Sequence, residues 1–216
     1  MVCTDKTGIL TQGKMTTTHV FSQNRLGHVS GKGFSEVGEI TYSSGGSIAT
    51  EPIEQVIGTK VTLLLGGCLC NNTSLVENEK TKKIEIKGNF SEAPLVVAAA
   101  KLNLRQGAEV DKWFRRVDEV PFNSKRKIMA TLHANALING SASSSASVPA
   151  PMRGMERVLT SPYFSVVKGA PNYVLESCTS QESVNELMKQ KGAVRPKAAL
   201  FLASANQCSA LPSQAS

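Results

Sequence analysis

Asp5 is the residue whose neighbours best equip it for chemistry. It follows a short apolar, strand-like stretch and precedes Lys6, Thr7 and Gly8. A carboxylate so placed can attack a phosphoryl group and carry it as an aspartyl phosphate. The free amides of a glycine-containing loop can hold the transferring phosphate oxygens. Lys6 adds positive charge, and Thr7 adds a hydroxyl and a carbonyl. Mg2+ would bridge Asp5 and the phosphate, because this ion takes one or two carboxylates plus phosphate oxygens. Taken alone, these four residues read more simply as a turn.

The longer string changes that balance. Asp5-Lys6-Thr7-Gly8-Ile9-Leu10-Thr11 resembles the phosphorylation signature of the P-type ATPases, Asp-Lys-Thr-Gly-Thr-Leu-Thr, and departs from it only at Ile9. Three further segments resemble that family in its own order. Lys87-Gly88-Asn89-Phe90-Ser91-Glu92 is similar to the start of its nucleotide-domain motif Lys-Gly-Asp-Pro-Thr-Glu. Pro121-Phe122-Asn123-Ser124 with Lys127 and Met129 resembles its Pro-Phe-x-Ser segment, and Lys168-Gly169-Ala170-Pro171 its Lys-Gly-Ala-Pro.

The resemblance implies a type II, calcium-pump-like cation transporter. It implies catalytic roles for Asp5, Lys6 and Thr7 and Mg2+ ligation by Asp5 and Thr7. It also implies an ATP pocket formed by Glu92 at the adenine amino group, Phe122 stacked on the ring, Lys127 lining the pocket, and Lys168 with Gly169 at its mouth. An aromatic face does bury a purine well, and cations beside it suit a polyphosphate. Without the family, Glu92 reads as a first-turn acid favoured by the helix dipole. Phe122 then reads as a core aromatic, and Lys125, Arg126 and Lys127 as a solvated basic hairpin or a nucleic-acid patch.

The elements that must position these residues are legible from patterning. Residues 16–21 are β-branched and strand-like. Residues 27–46, rich in Gly and Ser, predict hairpins and loops. Apolar residues at helical intervals predict a helix over 54–70, and alternation predicts a strand over 81–86. Ser91 can cap a helix with Pro94 in its first turn, running to about Leu104. Strands are expected at 118–120, 126–133 and 163–167, with a short helix from Pro171 to about Cys178. Residues 134–151 are poor in large apolar residues and read as a flexible insertion. The expected fold is α+β: a P-type ATPase nucleotide-binding domain, an antiparallel sheet flanked by helices, with a stub of the HAD-like phosphorylation domain. Residues 1–15 would be the stub and hinge, 16–179 the nucleotide-binding domain, and 180–216 a divergent, poorly ordered tail.

Composition supports a globular chain. The 216 residues are 41% hydrophobic and 19% charged, too apolar for wholesale disorder. The apolar run at 61–70 falls well short of the ~20 residues a bilayer crossing needs, so any membrane association would come through segments the chain lacks. The five cysteines lack a regular framework and read as reduced thiols. The three histidines are scattered and suggest neither a metal site nor a catalytic triad. The family's Thr-Gly-Asp and Gly-Asp-Gly-x-Asn-Asp segments are absent, which predicts a soluble fragment, inactive by itself, of a protein working on the cytoplasmic face of a membrane. ATP is the expected partner, and the cation is a partner only of the full-length pump. Two other readings remain. A HAD-like phosphatase usually places a second Asp two residues after the nucleophile, where Thr7 stands here. A nucleic-acid module would draw on the formal charge of +7, but the basic residues are dispersed and Trp113 is the single tryptophan; no nucleic acid is expected.

Overall fold

The computed structural model describes residues 15–22, 25–42, 47, 51, 53–80, 84–139, 150–155, 159–176 and 199–204. Three strands open the described chain: β1 (His19–Ser22), β2 (Arg25–Val29) and β3 (Ile40–Tyr42), joined as an antiparallel meander. Alternation directs Val20, Val29, Ile40 and Tyr42 into the core, while His19 and His28 face solvent. The Tyr42 hydroxyl hydrogen-bonds Thr59, and Arg25 lies over the Tyr42 ring at 4.2 Å while its guanidinium pairs with Glu51. A polar clamp therefore fastens the meander to the next helix.

That helix, α1 (Ile53–Leu63), does not run unbroken to Cys70 as periodicity predicts. It widens into a π-helical segment, Leu64–Leu69, closed by the Cys70 amide donating to the Leu65 carbonyl at 2.7 Å. All six residues of that segment are buried, so no solvent face imposes a 3.6-residue period on it. A Cβ on Gly67 would stand 2.6 Å from the Leu95 carbonyl oxygen, so glycine lets α2 (Ala93–Ala100) pack directly on this segment.

The α2 boundaries also differ from expectation. Ser91 does not cap it. Asn89 forms the turn instead: its side-chain oxygen accepts from the Ser91 amide at 2.9 Å, and its carbonyl accepts from the Glu92 amide at 3.0 Å. The helix stops at Ala100 because Asn103 takes a left-handed φ of 58°. The Leu104 amide then reaches back to Ala99 at 3.1 Å and the Asn103 amide to Ala100 at 2.9 Å, a Schellman closure.

A hairpin of β4 (Ser74–Glu77) and β5 (Ile84–Lys87) separates the two helices; only its second strand was expected. After α3 (Ala108–Trp113), which patterning did not reveal, comes the main sheet. It contains β6 (Phe114–Val120), β7 (Ile128–Asn135), β8 (Tyr163–Gly169) and β9 (Ala199–Ser204), antiparallel in that order. Phe114 and Phe164 meet edge to face at 5.9 Å, and His133 stacks on Phe164 at 5.6 Å. The architecture is the expected antiparallel sheet flanked by helices.

Two boundaries are corrected. Residues 134–151 are not wholly an insertion: β7 continues to Asn135, α4 (Ala136–Asn139) follows it, and 140–149 lie outside the described residues. Buried Asn135 pins this junction by donating to the Leu159 and Ser161 carbonyls at 2.9 and 3.0 Å. In the tail, where the sequence predicts poor order, residues 199–204 form β9 and pair with β8 from Phe164 to Gly169. A short, continuously apolar run carries no period that marks it as a strand when read alone; an unpaired sheet edge makes it one. The last helix, α5 (Pro171–Glu176), follows β8 directly.

Candidate functional site

Glu92 lies in the tight turn that opens α2. One carboxylate oxygen sits 2.7 Å from Nζ of Lys168, and the other accepts the Asn72 backbone N–H at 3.3 Å. Lys168 is on β8 opposite Met129 of β7, and its side chain is only 9% exposed. Beyond that ion pair, Nζ makes no hydrogen bond among the described residues. A nearly buried ammonium with donors to spare is costly, and it is chemically suited to an anionic or acceptor-rich ligand. Cys70 lies beside it. Burial pushes the Cys70 thiol up and the Lys168 charge partly offsets this, so the sulfur is a neutral thiol rather than a nucleophile.

Residues that sequence reasoning passed over hold this pair in place. Arg116, on β6, donates to the carbonyls of Leu69 and Asn71 at 2.5 and 2.7 Å and to the side-chain oxygen of Asn72 at 2.6 Å. It also pairs with Glu119 at 2.7 Å, which in turn accepts from Nδ2 of Asn72 at 3.2 Å. Both ends of the Asn72 side-chain amide are thus engaged, the oxygen by Arg116 and the nitrogen by Glu119, while its backbone amide holds Glu92. Nothing in the sequence signals this, because Asn72 stands far along the chain from the β6 residues Arg116 and Glu119 that it meets.

The other predicted residues cluster at one end of β7 and β8. Phe122 stands on the β6–β7 loop and is 59% exposed, so it is not the core aromatic of the alternative reading. Asn123 shapes that loop: its side chain accepts from the Lys125 amide at 2.8 Å and its carbonyl from the Lys127 amide at 2.7 Å. Lys127 closes the loop at a left-handed φ of 58°, and its carbonyl accepts from the Ala170 amide at 3.0 Å. Gly169 pairs with Ile128 across the strands. A Cβ there would run into the Lys127 carbonyl and lie 2.7 Å from the Ile128 side chain. The close approach that Gly169 permits is therefore between two strands of the chain itself. Gly169→Ala should cost about 1–3 kcal/mol, as overpacking against backbone does; urea unfolding of the variant reads this directly, and an unchanged midpoint would refute the crowding.

Asp5, Lys6 and Thr7 lie outside the described residues. Among the described residues no group of three or more His, Cys, Asp or Glu side chains could hold a metal ion, and no helix is long and apolar enough to cross a membrane.

A family profile described as P-type ATPase, cytoplasmic domain N, matches residues 60–192. The chain belongs to the P-type ATPase family. The matched region holds Glu92, Phe122, Lys127, Lys168 and Gly169, and it continues past Thr179, where motif-by-motif resemblance ended. The N-domain chain is 33% identical over 137 residues to a calcium-transporting ATPase of Bacillus subtilis, covering 62% of this chain and 14% of that protein. It is 35% identical over 136 residues to the calcium-transporting ATPase type 2C member 2 of Rattus norvegicus, covering 60% and 13%. A potassium-transporting ATPase alpha chain 2 of Cavia porcellus is 27% identical over 183 residues, covering 83% and 14%. The chain thus spans about a seventh of the length of these P-type relatives.

Proposed function

We propose that this N domain binds ATP in the cleft where the Glu92–Lys168 pair and the Phe122–Lys127 loop come from neighbouring strands, and that the bound nucleotide phosphorylates Asp5 in a cation-transporting, calcium-pump-like ATPase. The observation that carries the reading is the ion pair of Glu92 and Lys168 at 2.7 Å, with the ammonium making no hydrogen bond among the described residues. Glu92 can accept from the adenine amino group without leaving Lys168, since each carboxylate oxygen has two lone pairs. The exposed Phe122 ring offers a stacking face, and Lys127 adds a cation beside it.

In the transfer step, a carboxylate oxygen of Asp5 forms a bond to the γ-phosphorus as the bond to the ADP oxygen breaks. ADP leaves with that electron pair. Asp5 and Thr7 would hold Mg2+, and a carboxylate with a hydroxyl or carbonyl oxygen is the hard donor set this ion takes. When bound, the ion neutralises charge building on the phosphate oxygens. Lys6 adds to the same neutralisation. The aspartyl phosphate then drives the domain movement that reorients cation sites. Calcium is the proposed ion, on the names of the relatives and the look of the nucleotide domain, and the protein would work at the cytoplasmic face of a membrane.

ATP titration into the chain, followed through the ring signals of Phe122, tests the binding step. Saturable shifts that are lost in Lys168→Met support the proposal. No shift at millimolar nucleotide would reject it.

A further inference from the structure

His19 and His28 are far from the nucleotide cleft in sequence, but β1 and β2 bring them directly opposite one another. The register gives their relation in detail. The Val29 amide donates to the Thr18 carbonyl at 2.8 Å, which makes Thr18 and Val29 a hydrogen-bonded pair. Pairs alternate along an antiparallel ladder, so His19 and His28 occupy the next, non-hydrogen-bonded pair, where side chains stand closest. Both are exposed, their rings are edge to face, and their centroids are 5.4 Å apart. Two imidazoles sharing one ion through ring nitrogens at about 2.0–2.1 Å, roughly 90–110° apart, would place their centroids about 4.5–5.2 Å apart. The observed separation lies just above that span, so binding would require the rings to turn about their side-chain bonds.

We propose that His19 and His28 form a two-histidine chelate for a borderline divalent transition-metal ion such as Zn2+, Ni2+ or Cu2+. Neutral imidazole suits these ions, whereas Mg2+ and Ca2+ select oxygen donors. Nδ1 of His19 lies 3.0 Å from the Thr18 hydroxyl. The tautomer that donates Nδ1–H to this oxygen leaves the Nε2 lone pair for the metal, the outer hydrogen bond that metal-binding histidines commonly make. Among the described residues no third His, Cys, Asp or Glu completes a cluster, so water fills the remaining positions. The ribbon beneath is firm: Val20 and Val29 are buried under it, and the Thr62 hydroxyl of α1 donates to Ser22 at 3.2 Å. A bound ion would cross-link the ribbon that begins the described domain.

The test is a calorimetric titration of the whole chain with NiCl2 alone, repeated on His19→Gln and His28→Gln. Both histidines are exposed, so the metal-free variants should keep the parent's thermal midpoint. Outer-sphere partners alone are worth about 10–100-fold in metal affinity, so loss of either ligand should weaken Ni2+ binding by about 100-fold. One saturable equivalent that disappears in each variant is the expected result. Unchanged affinity in both variants would overturn the proposal, as would binding that develops a thiolate-to-nickel charge-transfer band.

Discussion

Glu92→Ala should destabilise the N domain by about 3–5 kcal/mol, the cost of leaving a buried charge without its partner. The pair is well shielded, with side-chain exposures of 9% for Lys168 and 16% for Glu92, so solvent screening reduces this little. Lys168→Met alone should cost less, because Glu92 keeps the Asn72 amide and has more access to water. The informative variant is the double one. An apolar replacement of a buried ion pair is often neutral or stabilising, so Glu92→Ala combined with Lys168→Met should recover most of the loss seen in Glu92→Ala. ATP binding, if it depends on this pair, should stay lost in that recovered protein. Urea midpoints and ATP titrations on the same four proteins separate the two effects. A double variant that is as unstable as Glu92→Ala would mean that the pair is not the source of the penalty. A recovered double variant that binds ATP like the parent would remove the pair from the nucleotide site.

Acid should weaken the domain through His133. Its ring is buried on Phe164, with Nδ1 3.2 Å from the Phe114 carbonyl and Nε2 2.9 Å from the Thr131 hydroxyl. Burial pushes its pKa down from 6.5 to about 4; the Phe114 carbonyl opposes that and the nearby Arg116 charge adds to it. The folded protein therefore keeps this ring neutral at pH values where the unfolded chain has already protonated it. Its stabilising contribution is complete above about pH 6.5 and falls as the pH drops from there towards 4. The integrated loss is about 3 kcal/mol. Urea unfolding at stepped pH should show that slope, and the ring proton signals of His133 should not titrate until well below pH 6. A ring that titrates near 6.5 in the native protein would contradict the burial argument.

How far the fold was legible depended on whether a segment's environment was local. Alternation in β7 and β8 and the apolar spacing of α1 follow from one face being buried, and that leaves a period in the chain. The π-helical Leu64–Leu69 is buried on every side, so it shows apolar content but no period that could reveal its widened turn. The end of α2 was missed because Asn103, not a glycine, adopts the left-handed closing conformation. In β9, pairing with β8 organises a stretch whose own residues say little.

By itself the sequence determined the family, through contiguous motifs whose side chains must act within one loop, and the α+β class, through periodicities that burial imposes on neighbouring residues. Only the tertiary structure decided that Glu92 meets Lys168, that Arg116 and Asn72 brace them, and that His19 faces His28. Those contacts depend on strand register and sheet order. Register and order are settled by burying all the apolar faces at once, a condition on the whole chain that no single segment carries.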